Sequence, residues 1–274
     1  MPAQDFPETI IEDVSTEDVK RFLDPTVMND VLEYRFQANF LTQDNRLFSH
    51  RPYVGYSFNY WSAAWVEVPI WDFSIPGTNA PSGISDTLIG VGFIPYKNLS
   101  KRLTAAAFWL EALAPTGNAQ KGTGFGTWVL SPGGGIAVNP SNKFPIYLTG
   151  RYLHSVKPIG GDESGDLSVP PAKVRSIELD IETIHILPKG FFVSAQPRFL
   201  FDLNKDFKVF SLGAGLGRAL NRRLMVFGGY VHFVAGKKTF NQALVLGLSF
   251  IWGKEKVKGH GKKVLSSVSP PLKD

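Results

Sequence analysis

Residues 31–40 read Val-Leu-Glu-Tyr-Arg-Phe-Gln-Ala-Asn-Phe, and their alternation leaves few folds open. Leu32, Tyr34, Phe36, Ala38 and Phe40 form one set; Glu33, Arg35, Gln37 and Asn39 form the other. A helix scatters those sets around its axis. A strand separates them, because successive side chains point to opposite faces. The pattern recurs. Ile177, Leu179 and Ile181 oppose Ser176, Glu178, Asp180 and Glu182; Ala195, Pro197, Phe199, Phe201 and Leu203 oppose Gln196, Arg198 and Asp202. Leu244, Leu246, Leu248, Phe250 and Trp252 oppose Val245, Gly247, Ser249 and Ile251. An all-β fold is expected.

The alternation predicts twelve strands, near 29–41, 49–60, 63–73, 84–96, 101–114, 124–139, 144–157, 173–187, 190–203, 207–220, 223–236 and 241–252. Most exceed the roughly five or six residues usual in soluble proteins, and they suit a tilted crossing of a bilayer, which takes about nine to eleven. Links after even-numbered strands are short (Tyr96–Ser100, Pro140–Lys143, Pro188–Lys189, Asn221–Arg222). Several after odd-numbered strands are longer (Leu41–Phe48, Ser74–Gly83, Pro115–Gly122, Lys157–Ala172), although Asn204–Asp206 is short. Short turns on one side and long loops on the other characterise outer-membrane barrels, with the short side in the periplasm. No apolar run reaches the roughly 18 residues of a spanning helix. With 13% aromatic and only 19% charged residues, the expectation is a twelve-stranded antiparallel transmembrane β-barrel in the bacterial outer membrane, both termini periplasmic. The soluble alternative, a β-sandwich or lipocalin-like barrel, would turn the same aromatic stripes inward.

Charge divides the 274 residues into three parts. Residues 1–28 hold seven acids and two bases, net −5; residues 253–274 hold six lysines and two acids, net +4; the barrel, 29–252, is net +6. Ser15-Thr16-Glu17-Asp18 reads as a helix cap and acidic first turn, continued by Val19–Leu23 and stopped before Asp24-Pro25. That short N-terminal helical segment is expected either to plug the periplasmic mouth or to extend into the periplasm, and the basic tail to lie in the periplasm. The opening Met-Pro-Ala-Gln-Asp-Phe-Pro-Glu lacks a basic n-region and an apolar h-region, so an export signal is expected to be absent from this chain. Without a basic helix or reader motif, nucleic acid is not expected as a partner.

Several fragments resemble a known group. Gly83-Ile84-Ser85-Asp86-Thr87-Leu88-Ile89-Gly90, Leu113-Ala114-Pro115-Thr116-Gly117, and Gly122-Thr123-Gly124 with Trp128 and Pro132-Gly133-Gly134-Gly135 are similar to the outer-membrane barrels of the MetA-pathway of phenol degradation family. Arg51-Pro52-Tyr53 and Val66-Glu67-Val68-Pro69 resemble its opening strands. The resemblance implies passage of small, often apolar or aromatic, molecules and implies no catalytic residue. Gly247, Phe250 and Trp252 resemble the terminal signal read by the barrel-assembly machinery, although Val245 stands where a polar residue is usual and the chain continues for 22 residues.

Other chemistry finds little support. Cysteine is absent, and His50, His154, His185, His232 and His260 lack metal spacing, so neither metal nor cofactor is expected. The glycine runs Gly213–Gly217 and Gly122–Gly126 lack the helix and lysine of a phosphate loop and read as room-making positions in curved strands. His154 and Ser155 are adjacent and face opposite ways, which disfavours a Ser-His pair. The polar faces are the expected lumen. There Glu178, Asp180 and Glu182 would meet Arg151 and Arg198 on the flanking strands, bracing the wall or setting an electrostatic filter. Glu33, Arg35, Gln37, Asn39, Glu111, Tyr230 and His232 complete the expected lining. Twelve strands enclose more than the side-chain-filled eight and less than the open sixteen. The expected function is a passive pore for small, apolar or aromatic solutes, with outer-membrane lipids and the assembly machinery as partners. A lipid-modifying barrel enzyme and a permanently plugged structural or assembly barrel are the competing expectations, and oligomeric state is not legible.

Overall fold

The computed structural model describes residues 14–23, 29–41, 44–76, 80–97, 102–119, 121–156, 173–238 and 240–252. The acidic residues 1–13 and the basic tail 253–274 lie outside them. One helix, α1 (Thr16–Leu23), precedes the strands β1 (Asp30–Leu41), β2 (Arg46–Asn59), β3 (Ser62–Glu67), β4 (Ile70–Ser74), β5 (Ser82–Ile84), β6 (Thr87–Lys97) and β7 (Leu103–Ala114). Then follow β8 (Trp128–Ser141), β9 (Phe144–Val156), β10 (Arg175–Ile186), β11 (Phe191–Asp202), β12 (Phe207–Ala219), β13 (Leu224–Gly236) and β14 (Phe240–Trp252). These form a closed antiparallel barrel of twelve staves, as the alternation predicts. β1 closes it against β14, from Asp30 opposite Trp252 to Leu41 opposite Phe240.

Two expected strands are interrupted, the first in its middle and the second near its start. β3 and β4 are one stave interrupted at Val68-Pro69, and β5 and β6 are its neighbour, interrupted at Ser85-Asp86. Proline has no N–H to give the ladder. The gap is bridged by Ser85 N–H donating to the Pro69 carbonyl at 2.7 Å.

The second break has a purpose that the alternation could not reveal. Asp86, 3% exposed, accepts from the Gly117 N–H at 3.0 Å and the Phe125 N–H at 2.7 Å. Thr116 Oγ1 donates to the Ser85 carbonyl at 2.9 Å and accepts from the Thr87 N–H at 2.9 Å. Thr123 Oγ1 accepts from the Asn118 N–H at 2.9 Å. Residues 85–87 are thus tied by hydrogen bonds to the loop that holds 116–118 and 123–125, some thirty residues further on. Gly122-Thr123-Gly124 belongs to that loop, not to a strand: β8 begins at Trp128, Gly122 and Gly126 have φ of 73° and 68°, and a side chain on Gly124 would run into Asp86 and Gly117. Asp86→Ala would leave two partly buried N–H groups without their acceptor, at up to about 1–3 kcal/mol each. Trypsin should then cut after the exposed Lys121 several-fold faster than in wild type, while the folded barrel keeps its anomalous gel mobility.

The aromatic stripes point outward. Leu216 is 66% exposed and Leu246 62%, and Tyr34, Tyr56, Phe58, Val91, Phe108 and Leu248 share that surface. Leaving one such side chain in water would forgo about 1.5–3 kcal/mol, so a surface tiled with them faces hydrocarbon. At the end with the short turns the rings thicken into a belt: Trp61 packs edge-on against Phe93 at 4.7 Å, and Tyr56 touches Phe58 at 5.5 Å and Trp252 at 6.3 Å. Amphipathic rings gather at this membrane level.

The same end receives α1. Ser15 caps the helix: its Oγ accepts from the Asp18 N–H at 3.2 Å, and Asp18 Oδ2 accepts in return from the Ser15 N–H at 3.1 Å. Val14 and Val19, the latter fully buried, join a cluster with Ile94, Ala105, Ala137, Tyr147, Ile184, Ile186, Phe192, Ala219 and Met225. Those partners come from every strand between β6 and β13, so the helix lies in the mouth. Asp18 also approaches Arg222 Nε of the β12–β13 turn at 3.7 Å.

Candidate functional site

Inside the wall the polar phase of the strands builds an ionic belt. Arg35 on β1 and Arg51 on β2 stand directly opposite each other. Two guanidiniums so placed repel, unless an anion lies between them. Glu67 of β3 supplies it: Oε2 accepts from Arg35 Nη2 at 2.7 Å, and Oε1 from Arg51 Nε at 2.8 Å. The Glu67 side chain is 2% exposed, and Glu33 completes the group at 2.8 Å from Arg35 Nε. Gln37 extends it, accepting from Arg51 Nη1 at 3.3 Å and donating to Asn39 Oδ1 at 2.6 Å.

A second group continues the belt. Trp65 Nε1 of β3 donates to Glu111 Oε1 of β7 at 3.2 Å, and Arg151 Nη1 of β9 reaches Glu111 Oε2 at 3.3 Å. Arg151 also grips Glu178 Oε2 of β10 through Nε at 2.8 Å and Nη2 at 2.6 Å. Arg198 Nε of β11 lies 3.2 Å from Glu178 Oε1 and donates to Asp180 Oδ1 at 2.5 Å. Glu182 follows on the same inward phase, opposite Tyr147. The belt therefore runs from β1 to β11. Glycines make room for its rings: side chains at Gly90 and Gly92 would overlap Trp65, and one at Gly133 would overlap Trp109.

Above α1 the belt borders a cavity of about 600 Å³, lined among others by Tyr53, Trp65, Trp109, Arg51, Glu111 and Arg198, with Arg21 and Phe22 of the helix. It mixes ring faces with paired ions. Volumes of this order accommodate small organic molecules.

Ten of the twelve expected lumen residues face this interior; Tyr230 and His232 do not. Tyr230 pairs with Leu244 and Ala214 and is 39% exposed on the lipid side. Its hydroxyl donates to Gln242 Oε1 at 2.9 Å, and its ring stacks on His232 at 6.1 Å. The reason for the misplacement is that both phases of β13 are apolar, so alternation alone carries no sign there; register to the leucines of β14 supplies it. Conversely, Arg51, Tyr53, Trp65, Glu67 and Trp109 were missed. Arg51 and Glu67 do alternate with Pro52 and Val66, and continuing the inward phase of β1 across two ladders would have found them.

Of the three residues that resemble an assembly signal, Gly247 faces inward beneath the Phe227 ring, which a side chain there would overlap, while Phe250 and Trp252 face outward, 37% and 41% exposed.

No family model and no curated protein matches the chain. Solved structures do. The COG4313 outer membrane channel from Pseudomonas putida F1 superposes with a TM-score of 0.63 at 11% identity, over 82% of this chain and 96% of that one. The NanC porin gives 0.58 at 12%, over 81% and 100%, and the CymD monoaromatic hydrocarbon channel 0.51 at 9%, over 89% and 94%. At such identities the likeness is one of fold. Together with the lipid-facing aromatic surface and the ionic interior, it gives this chain the fold of a membrane-spanning β-barrel, the architecture shared by those outer-membrane channels and porins.

Proposed function

We propose that the barrel is a passive pore for small, apolar or aromatic molecules, with no cofactor and no catalytic step. The observation that carries this is the interior cavity, where Tyr53, Trp65 and Trp109 offer ring faces beside arginines already neutralised by carboxylates. An aromatic solute can exchange stacking and cation–π contacts there without stripping an unpaired charge of water. The CymD channel's name supports the aromatic class, and the fragments around Asp86 support kinship with the MetA-pathway of phenol degradation group. Phe250 and Trp252 would be read by the assembly machinery before the last stave closes. On this reading α1 is a closure of the periplasmic mouth. The belt residues Glu33, Arg35, Gln37, Asn39, Glu111, Arg151, Glu178, Asp180, Glu182 and Arg198 set which ions leak through.

The lipid-modifying alternative is weaker, because among the described residues each hydrogen-bonded histidine pairs with a tyrosine, as in Tyr152 with His154 at 3.4 Å. Ser155 Oγ instead accepts from the Val174 N–H at 3.0 Å. Proteoliposome swelling tests the proposal: phenol-sized neutral aromatics should enter faster than sugars of similar mass. Equal rates for both classes, or entry no faster than in protein-free liposomes, would refute it.

A further inference from the structure

The outer surface within the strands carries almost no charge, and the exceptions sit at its margins. At the short-turn end the cation facing outward from a strand, among the described residues, is Arg218 of β12. Its guanidinium lies over the lipid-facing Phe191 ring at 4.7 Å, and its Nε donates to the Lys189 carbonyl at 3.3 Å. An outward arginine is tolerated at this depth only because the interface, and not hydrocarbon, surrounds it.

Lys189 is unusual in itself. It takes a left-handed conformation, φ 59° and ψ 30°, directly before Gly190 at φ 77°. Glycine or asparagine would hold that position without strain, so a lysine there is kept at a cost. The neighbouring turn adds Lys143, whose carbonyl accepts from the Ile186 N–H at 2.8 Å, and the next turn adds Arg222 and Arg223. Among the described residues these three turns contain no carboxylate; Asp18 of α1 approaches only Arg222. Beneath the cations on the outer face lie Phe144, His185 and Phe191, with Phe144 and His185 in ring contact at 6.1 Å. The opposite margin differs, because its lysines alternate with Asp44, Asp72, Asp202 and Asp206.

We propose that the short-turn margin of β9–β12 binds the phosphate of an anionic phospholipid, held by Arg218, Lys189 and Lys143 above an apolar seat of Phe144, His185 and Phe191. A guanidinium fixed by a ring and a carbonyl presents its remaining N–H groups in one direction, where phosphate oxygens accept them. The two lysines add attraction without geometric demand. This rests on the membrane fold alone and is independent of what the lumen passes.

Native mass spectrometry of the full chain in detergent, titrated with phosphatidylglycerol or phosphatidylcholine, tests it. Phosphatidylglycerol should be retained in preference to phosphatidylcholine. Lys189→Gln with Arg218→Gln should cut that preference about twenty-five-fold, at about fivefold per cation. Lys143→Gln with Lys189→Gln, which leaves Arg218 on its ring, should also reduce it and serves if the first variant fails to assemble. Lys237→Gln with Lys238→Gln at the opposite margin should leave it intact. Equal retention of the two lipids, unchanged preference in both margin variants, or an equal loss in the opposite-margin variant overturns the proposal. So does a preference that emerges only after deletion of residues 2–13, since the patch would then belong to the chain's own acidic segment.

Discussion

Deleting residues 2–27 should raise single-channel conductance several-fold while the barrel keeps its heat-modifiable gel mobility. The helix α1 occupies the mouth through Val14 and Val19, which join inward residues of β6–β13 in one dry cluster. Removing it takes away the only described segment that crosses that opening. Val19→Asp is the companion variant, because it keeps the chain length. Val19 has no exposed surface, and its burial contributes about 1.5–3 kcal/mol to docking. An aspartate there would lose that and add an unpaired charge to an apolar cluster. Conductance should rise in the same direction, with more flicker as the helix docks and undocks. Unchanged conductance in both variants would show that ions pass beside the helix and that it closes nothing.

Glu67→Gln should shift the pore toward anions and weaken the barrel. Glu67 is the anion between Arg35 and Arg51, with one oxygen 2.7 Å from the first and the other within 2.5 Å of the second. Losing one partner from a buried ion pair costs about 3–5 kcal/mol. Here the Arg35 and Arg51 side chains are 30% and 32% exposed, so lumen water screens them in part and a loss of about 2 kcal/mol is expected. Two facing arginines would then carry an unbalanced positive field at the belt. The reversal potential in a potassium chloride gradient should move toward the chloride value. Adding Arg51→Gln to Glu67→Gln should restore much of both properties, because the surviving Arg35 retains Glu33 at 2.8 Å. A double variant no better than the single one would mean that Glu67 acts through packing rather than charge.

Much of the fold is legible because a strand's side-chain period is short and local. The ladder of Arg151, Glu178, Asp180 and Arg198 is legible for the same reason: β9, β10 and β11 are consecutive, and each contributes charges on its one polar phase. Glu67 escapes notice because its stave breaks one residue later, at Val68-Pro69, where the alternation blurs. Trp65 and Trp109 are hidden differently. As large apolar residues they carry no sign of a lumen by themselves, and the glycines beside them, Gly90, Gly92 and Gly133, mark the room they take on the inner face. The fragments around Asp86, Thr116 and Thr123 can be recognised one by one as a resemblance. That they hydrogen-bond to one another is a matter of three-dimensional closure.

By itself, then, the order of amino acids determined how many staves there are, where most of them turn, and which residues along each share a side. Alternation is a property of neighbouring residues, and the backbone enforces it without reference to the rest of the molecule. Only the tertiary structure decided which side is inside where both phases are apolar, as at Tyr230 and His232. It alone placed Glu67 between two arginines and brought α1 into the mouth. Those outcomes depend on register between strands and on the curvature that joins β1 to β14. Both are collective consequences of turning one surface to lipid while setting the arginines of the belt against its carboxylates on the other.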